Sequence, residues 1–405
     1  MTKHQIIVVG GGAAGIATAS SLRKRDASLD IAIIEPADQH FYQPGWTMVG
    51  AGVFNKNQTV RRMDSVWPHS VKRIKGAVKS FKPDDCTVTL EDGSAVSYDF
   101  LVVAAGLKLD WEAVEGLNEA LGGNGVTSNY RFDLAPYTYD LVKNMKGKTA
   151  IFTQPPMPIK CAGAPQKAMY LSCDIWSKAG KLDDIDVSFC NAGPVLFGCA
   201  PYVPPLMEYV KKYGIDLDFG HNLIKIDGPK QKAWFKVVKD GEGSQVVERK
   251  FDIIHVCPPQ CSPDFVKNSP LSGAGGWVDV DPATLQHTSF DNIFALGDVT
   301  TTPNAKTAAA ARKQAPIVAK NLIAKIKGQP LASSYDGYGS CPLTVENGKI
   351  ILAEFGYGGK VMPSFPWDST KPRRAAWFLK KSILPWVYWN VMLKGREWIT
   401  KTTSN

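Results

Sequence analysis

No stretch of this chain approaches the roughly 20 consecutive apolar residues that a membrane-spanning helix needs. Histidine is scarce, six in 405 residues, and no Cys/His spacing is of the zinc kind, so no metal site is expected. The eight cysteines lie scattered through apolar strands and loops, not in a dense framework, which points to a reducing compartment and mostly inert thiols. No cleavable signal is expected at the start, because the first apolar run, IIVVGGG from Ile6, breaks into glycines as a first strand does. Internal repeats and low-complexity linkers are also missing. What remains is ordinary globular composition, 44% hydrophobic and 21% charged, of a length that favours two or three domains. The net charge of +9 suits nucleic acid, an anionic membrane or small anions, and by itself selects none of them.

The informative residues begin with QIIVVGGGAAGIATASSLRKR, which reads as strand, glycine turn and helix. Gly10 makes the tight turn, Gly12 lets backbone approach a pyrophosphate, and Gly15 lets the helix pack on the strand. The helix N-terminus then offers unpaired N–H groups to phosphate. Glu35 ends the next strand, DIAIIEP, about twenty residues past Gly15, where a carboxylate binds ribose. Two later segments favour FAD over NAD. YDFLVVAAGLK is a strand ending in the small residues Ala104, Ala105 and Gly106, and FDNIFALGDVT is a buried strand ending in Gly297 and Asp298, an aspartate suited to a ribityl chain. KTAAAARKQAPIVAKNLI follows as a helix whose N-terminus, with Lys306 at its start, is expected to meet the electron-rich edge of a flavin. The combination resembles the FAD domain of the two-dinucleotide-domain flavoproteins, which include glutathione reductase and type II NADH dehydrogenase.

The middle of the chain keeps the rhythm but not the motif. TAIFTQ, DVSFCNAG and FDIIHVCPP read as parallel strands, yet TAIFTQ is followed by PPMPIKCAGAPQK. Gly163 is the only glycine between Gly147 and Gly180, so a backbone cradle for NAD(P)H is not expected there.

Five stretches narrow the reading further. HFYQPGWTMVGAG, PIKCAGAPQKAMYL, GDVTTTPNAKTAAAA, GYGSCPLTVENGKIILAEF and ILPWVYWNVMLKG together resemble sulfide:quinone oxidoreductases of the two-cysteine type, over essentially the whole chain. GVTSNYRFD has Thr127 and Ser128 but no cysteine where the other main bacterial type carries a third. The resemblance implies an α/β fold of two Rossmann-like dinucleotide-binding-type domains, as in glutathione reductase, plus a C-terminal membrane-docking helical segment. Residues 1–114 and 261–330 would form the FAD-binding domain, 115–260 the second domain without a nicotinamide motif, and 331–405 a C-terminal region. It also implies a disulfide or polysulfide bridge between Cys161 and Cys341 beside the flavin. Cys341 would carry the persulfide, and Cys161, its thiolate favoured by the adjacent Lys160, would face the flavin. Gln43 and Pro44 would lie along the FAD, the backbone of Val78 would meet adenine, and Ala13 and Ala14 would touch the pyrophosphate. The other six cysteines are expected to be inert.

The implied partners are sulfide, a membrane quinone, a sulfane-sulfur acceptor (glutathione, sulfite, cyanide or polysulfide) and a membrane surface, with no nucleic acid; homo-oligomerisation is left open. The tail has a short apolar-rich core, Ser382 to Leu393, between Lys381 and Lys394, with Trp386, Tyr388 and Trp389 of the type favoured at a lipid interface. Periodicity serves a buried helix hairpin broken at Pro385 as well; the need to reach quinone favours a peripheral protein, expected at a bacterial inner membrane. Competing readings are a type II NADH dehydrogenase, a flavocytochrome-type sulfide dehydrogenase and a noncatalytic redox sensor that docks on membranes.

Overall fold

The apolar run Ile6–Val9 is fully buried at the centre of a parallel sheet, as its lack of polar alternation requires. The computed structural model describes residues 2–238 and 243–397; the end of the expected C-terminal region, 398–405, lies outside the described residues. In the first sheet, parallel strands run Lys72–Ile74, Ile31–Ile34, Thr2–Val9, Ala95–Val103 and Ile293–Ala295. Thr87–Leu90 and Val78–Lys82 extend it as an antiparallel pair on the start of Ala95–Val103. The helices Ala13–Arg25 and Ala308–Ile326 pack against each other beside this sheet.

The chain leaves this sheet and returns to it through one two-stranded ribbon, Lys108–Leu109 against Gln260–Cys261. Between them lies a second parallel sheet, ordered Val126–Thr127, Ile253–His255, Thr149–Gln154, Asp186–Asn191 and Asp216–Phe219. The three strands expected from TAIFTQ, DVSFCNAG and FDIIHVCPP are therefore parallel neighbours. A three-stranded antiparallel sheet spans His221–Asp227, Lys232–Val238 and Ser244–Lys250.

The C-terminal hairpin, Gly339–Glu346 with Lys349–Phe355, packs on the helix Ala164–Lys178. Period-two alternation turns Cys341, Leu343 and Val345 inward together, into one apolar cluster with Met169 and Cys173 of that helix. From Arg374 to Met392 the chain is one continuous helical run containing two π-turns, Leu379–Ile383 and Tyr388–Met392. Pro385 does not break it into a hairpin. The proline falls in the first turn after a π-turn, where pairing is already displaced and its missing N–H is tolerated. Among the described residues no helix is long and apolar enough to cross a membrane.

Candidate functional site

The glycine turn has the geometry of a dinucleotide seat. Gly10 has φ +103°, and a Cβ there would lie 2.5 Å from the Ala104 carbonyl oxygen. A Cβ on Gly15 would lie 1.9 Å from the Gly10 carbonyl oxygen, so only glycine lets the helix close on the strand. A Cβ on Gly12 would meet nothing within 4 Å. Gly12 caps the helix without a side-chain bond, so no cap side chain competes for the N–H groups of the first turn, which begins at Ala13 and Ala14. That opening fits the pyrophosphate of a dinucleotide such as FAD.

Glu35 sits beside the turn, its oxygens accepting from the N–H of Gly11 at 2.7 Å and of Ala37 at 2.8 Å. Ala105 and Gly106 follow the strand Ala95–Val103, with Gly106 at φ +70°. Gly297, at φ +78°, abuts Ala14, which brings the Gly297–Asp298 turn against the glycine loop. Val78 opens the antiparallel extension of the same sheet, buried. Gln43 and Pro44 form a short turn, and Gln43 accepts from the Lys160 ammonium at 2.7 Å.

The second sheet carries the sulfur chemistry. Cys161 follows a proline-rich loop and adopts a left-handed conformation, φ +52°, of the strained kind found at functional sites. Its carbonyl accepts from Ala164 N at 2.7 Å, starting the helix Ala164–Lys178, while its own N–H donates to the Lys306 carbonyl at 2.8 Å. A Cβ on Gly163 would lie 2.4 Å from Leu343, so the glycine allows the hairpin to press its cysteine onto this turn. Cys341 and Cys161, remote in sequence, are thereby brought together as free thiols against one cluster.

The pair is asymmetric. Cys341 is held far above the ordinary thiol range by its interaction with Cys161 and by burial. Cys161 is held well below it, first by that same interaction, then by the charge and hydrogen bond of Lys167 and the charge of Lys380. Lys167 Nζ lies 3.0 Å from Cys161 Sγ. Lys380 is buried on the tail helix, donating to Thr344 Oγ1 at 3.0 Å and Pro342 O at 3.3 Å, and burial drives its own pKa far down.

Sequence reasoning missed both lysines. Lys167 stood in the same CAGAPQK stretch, one helical turn further on, and was a findable signal. Lys380 was one of two adjacent lysines with nothing to mark it. Lys160, expected to favour the thiolate, interacts with Cys161 through its charge, while its ammonium bonds Gln43 and lies over the Trp46 ring. Lys306 stands directly before the cap of the following helix, as expected, but its ammonium turns elsewhere. Thr307 caps that helix, accepting from Ala310 N at 3.1 Å, while the Lys306 ammonium is committed to the carbonyls of Asp298 and Thr300 at 2.7 and 2.9 Å. Burial lowers its pKa to about 8.

Of the remaining cysteines, burial pushes Cys190 and Cys257 up to about 12 and raises Cys173, Cys199 and Cys261 as well, as inert thiols require. Among the described residues no group of His, Cys, Asp and Glu could hold a metal. The tail aromatics need a correction. Tyr388 and Trp389 are buried against the first sheet's domain, and Trp386 alone of the three is exposed.

Two dinucleotide-type sheets and a thiol pair where a nicotinamide cradle would stand define a flavoprotein disulfide oxidoreductase. A model of the pyridine nucleotide-disulphide oxidoreductase family matches residues 4–135. The chain is 44% identical over 402 residues to the mitochondrial sulfide:quinone oxidoreductase of Dictyostelium discoideum, covering 98% of this chain and 88% of that one. It is 38% identical over 392 residues to the mitochondrial sulfide:quinone oxidoreductase of Mus musculus, covering 97% and 87%. The sulfide:quinone oxidoreductase structure from Aquifex aeolicus superimposes with a TM-score of 0.78 at 21% identity, over 98% of this chain and 92% of that one. This chain belongs to the sulfide:quinone oxidoreductase family, and its cofactor is FAD.

Proposed function

We propose that this chain oxidises sulfide through a Cys161–Cys341 bridge and delivers the electrons to a membrane quinone. The observation that carries the reading is the asymmetric thiol pair with Lys167 3.0 Å from Cys161 Sγ. Starting from the oxidised bridge, hydrosulfide attacks Cys341 Sγ. A new S–S bond forms there, the Cys161–Cys341 bond breaks, and Cys161 leaves as a thiolate beside the Lys167 ammonium. The products are a Cys341 persulfide and a Cys161 thiolate, with no net redox change in this step. Burial of Cys341 keeps the persulfide away from bulk water until glutathione, sulfite, cyanide or a growing polysulfide takes its outer sulfur. FAD, when bound, supplies a two-electron relay between the sulfurs and quinone. Gly10, Gly12, Ala13, Ala14, Gly15, Glu35, Gln43, Pro44, Val78, Ala105, Gly106, Gly297 and Asp298 are the residues proposed to hold it. Lys306 is proposed to brace the Asp298 turn and the Cys161 turn rather than to face the flavin. Anaerobic titration tests the donor: sulfide should bleach the flavin absorbance within seconds, while NADH and NADPH leave it oxidised. Rapid bleaching by micromolar NADH would sink the assignment.

We further propose peripheral docking through the outer side of the tail helix. Phe378 and Trp386 are 60% and 53% exposed there, with Ile383 and Leu384 half-buried between them and Lys381 and Lys394 exposed alongside. The host is an energy-transducing membrane, the bacterial inner membrane in the reading from sequence, although the relatives above are named as mitochondrial. The double variant Phe378→Ser/Trp386→Ser should lose liposome binding and turnover with a long-chain quinone, yet keep sulfide-driven bleaching. Unchanged liposome binding would move the contact elsewhere.

A further inference from the structure

The C-terminal helix reaches the glycine turn through a relay. His40 is buried between them, with Nδ1 3.2 Å from the Gly11 carbonyl oxygen and Nε2 2.6 Å from the Tyr388 hydroxyl. A carbonyl can only accept, so the His40 proton sits on Nδ1, and Nε2 is left to accept the Tyr388 O–H. One neutral tautomer satisfies both bonds, and burial, which lowers the His40 pKa to about 4, keeps the ring neutral near pH 7. Gly11 is thus fastened at both ends, its carbonyl to His40 and its N–H to Glu35 at 2.7 Å. It stands between Gly10, which turns the chain, and Gly12, which opens onto the seat.

The same tail grips the helix that starts at the seat. Ser20 Oγ donates to the Leu393 carbonyl at 2.7 Å, Ser21 Oγ to Glu397 at 2.8 Å, and Arg25 Nη2 to Glu397 at 2.8 Å. A Cβ on Gly395 would lie 2.6 Å from the Ser20 carbonyl carbon, so the tail runs backbone against backbone along this helix. The Tyr42 and Tyr388 rings meet at a tilt with centroids 4.8 Å apart, and the Arg61 guanidinium covers Trp389 at 4.2 Å. None of these contacts serves the outward face of the tail, where Phe378 and Trp386 lie.

We infer that His40 and Tyr388 are positioning residues through which the C-terminal helix holds the FAD-seating glycine loop, so that the tail is a clamp on the cofactor as well as a docking element. The inference rests on the proposed seat at Gly10–Gly15. The test is FAD release from purified holoenzyme on dilution, read by flavin fluorescence. Tyr388→Phe keeps the ring and removes one hydroxyl, and should release FAD about tenfold faster, the scale of one lost buried hydrogen bond. His40→Phe should do the same, and His40→Gln, whose amide can donate and accept, should recover part of the loss. Wild-type release rates in both Tyr388→Phe and His40→Phe would overturn the inference, as would a lowered melting temperature with unchanged release. Gly12→Asp separates the two readings, because a carboxylate in the opening should exclude FAD. If Gly12→Asp retains FAD, the seat itself is wrong and the clamp falls with it. If Gly12→Asp loses FAD while Tyr388→Phe behaves as wild type, only the clamp falls.

Discussion

Cys161→Ser and Cys341→Ser are each expected to lower sulfide:quinone turnover by at least about 1,000-fold, because a reacting sulfur is removed outright rather than weakened. Both variants should still purify with FAD. The glycine turn, Glu35 and the Gly297–Asp298 turn belong to the first sheet and its connections, and neither cysteine side chain takes part in them. The two variants should nevertheless differ in a way that reports their roles. Cys341→Ser puts a hydroxyl where the thiol stood, which can still donate to Cys161, so Cys161, with Lys167 and Lys380 in place, should stay below the ordinary thiol range and label readily at neutral pH. Cys161→Ser leaves Cys341 buried with its pKa still raised by desolvation, a thiol that resists alkylation at neutral pH. Single-turnover bleaching by sulfide and the pH dependence of iodoacetamide labelling check both statements. Cys173→Ser is the control, since Cys173 only packs in the cluster behind the site, and most activity should remain. Sustained turnover in either of the first two variants would exclude an obligatory pair.

What was legible in the sequence divides along physical lines. The first sheet could be read because each of its signals is local. Apolar runs make buried parallel strands, and three glycines at fixed spacing make one turn whose steric demands the structure repeats at Gly10 and Gly15. The lack of a glycine motif after Thr149–Gln154 is a local signal of the same kind. The approach of Cys161 and Cys341 could not be read from pattern alone. It depends on a hairpin packing on a helix through Gly163 and Leu343, and only the family resemblance anticipated it. The lysine bonded to the sulfur was not the adjacent one, because adjacency in sequence is a poor guide beside a left-handed turn. The turn at Cys161 sends Lys160 toward Gln43, and the helix that follows returns Lys167 to the sulfur. The tail was half read. Trp386 and Tyr388 differ by two positions, which on a helix places them on different sides, so one can face out while the other reaches His40. Truncation from Trp377 onward is consequently a poor test of docking, since it also strips Tyr388, Trp389 and Leu393 from the core of the FAD-seating half.

Lys167→Met is expected to slow flavin reduction by sulfide about 10- to 100-fold, the range set by losing a hydrogen bond to a charged group worth roughly 1.5–3 kcal/mol. The lysine is buried, so removing its charge also removes a desolvation penalty, and methionine fills much the same volume. Folding and FAD content should therefore survive. The diagnostic is the pH profile. Cys161 is held below the ordinary thiol range partly by the Lys167 ammonium, which favours the thiolate. Without it the Cys161 pKa rises, and a higher pH is needed to keep the same fraction of the expelled Cys161 sulfur as thiolate rather than thiol. The acid limb of the rate should shift toward alkaline pH, so that the deficit is greatest in acid and shrinks as pH increases. Lys167→Arg, which keeps a cation, should restore part of the rate and move the limb back. Lys160→Met should leave the limb nearly in place, because that ammonium bonds Gln43 and reaches the sulfur through its charge alone. Stopped-flow reduction across pH decides the matter: a uniform loss at every pH would make Lys167 a packing residue, and an equal alkaline shift in Lys160→Met would return the thiolate to the neighbour first expected from sequence.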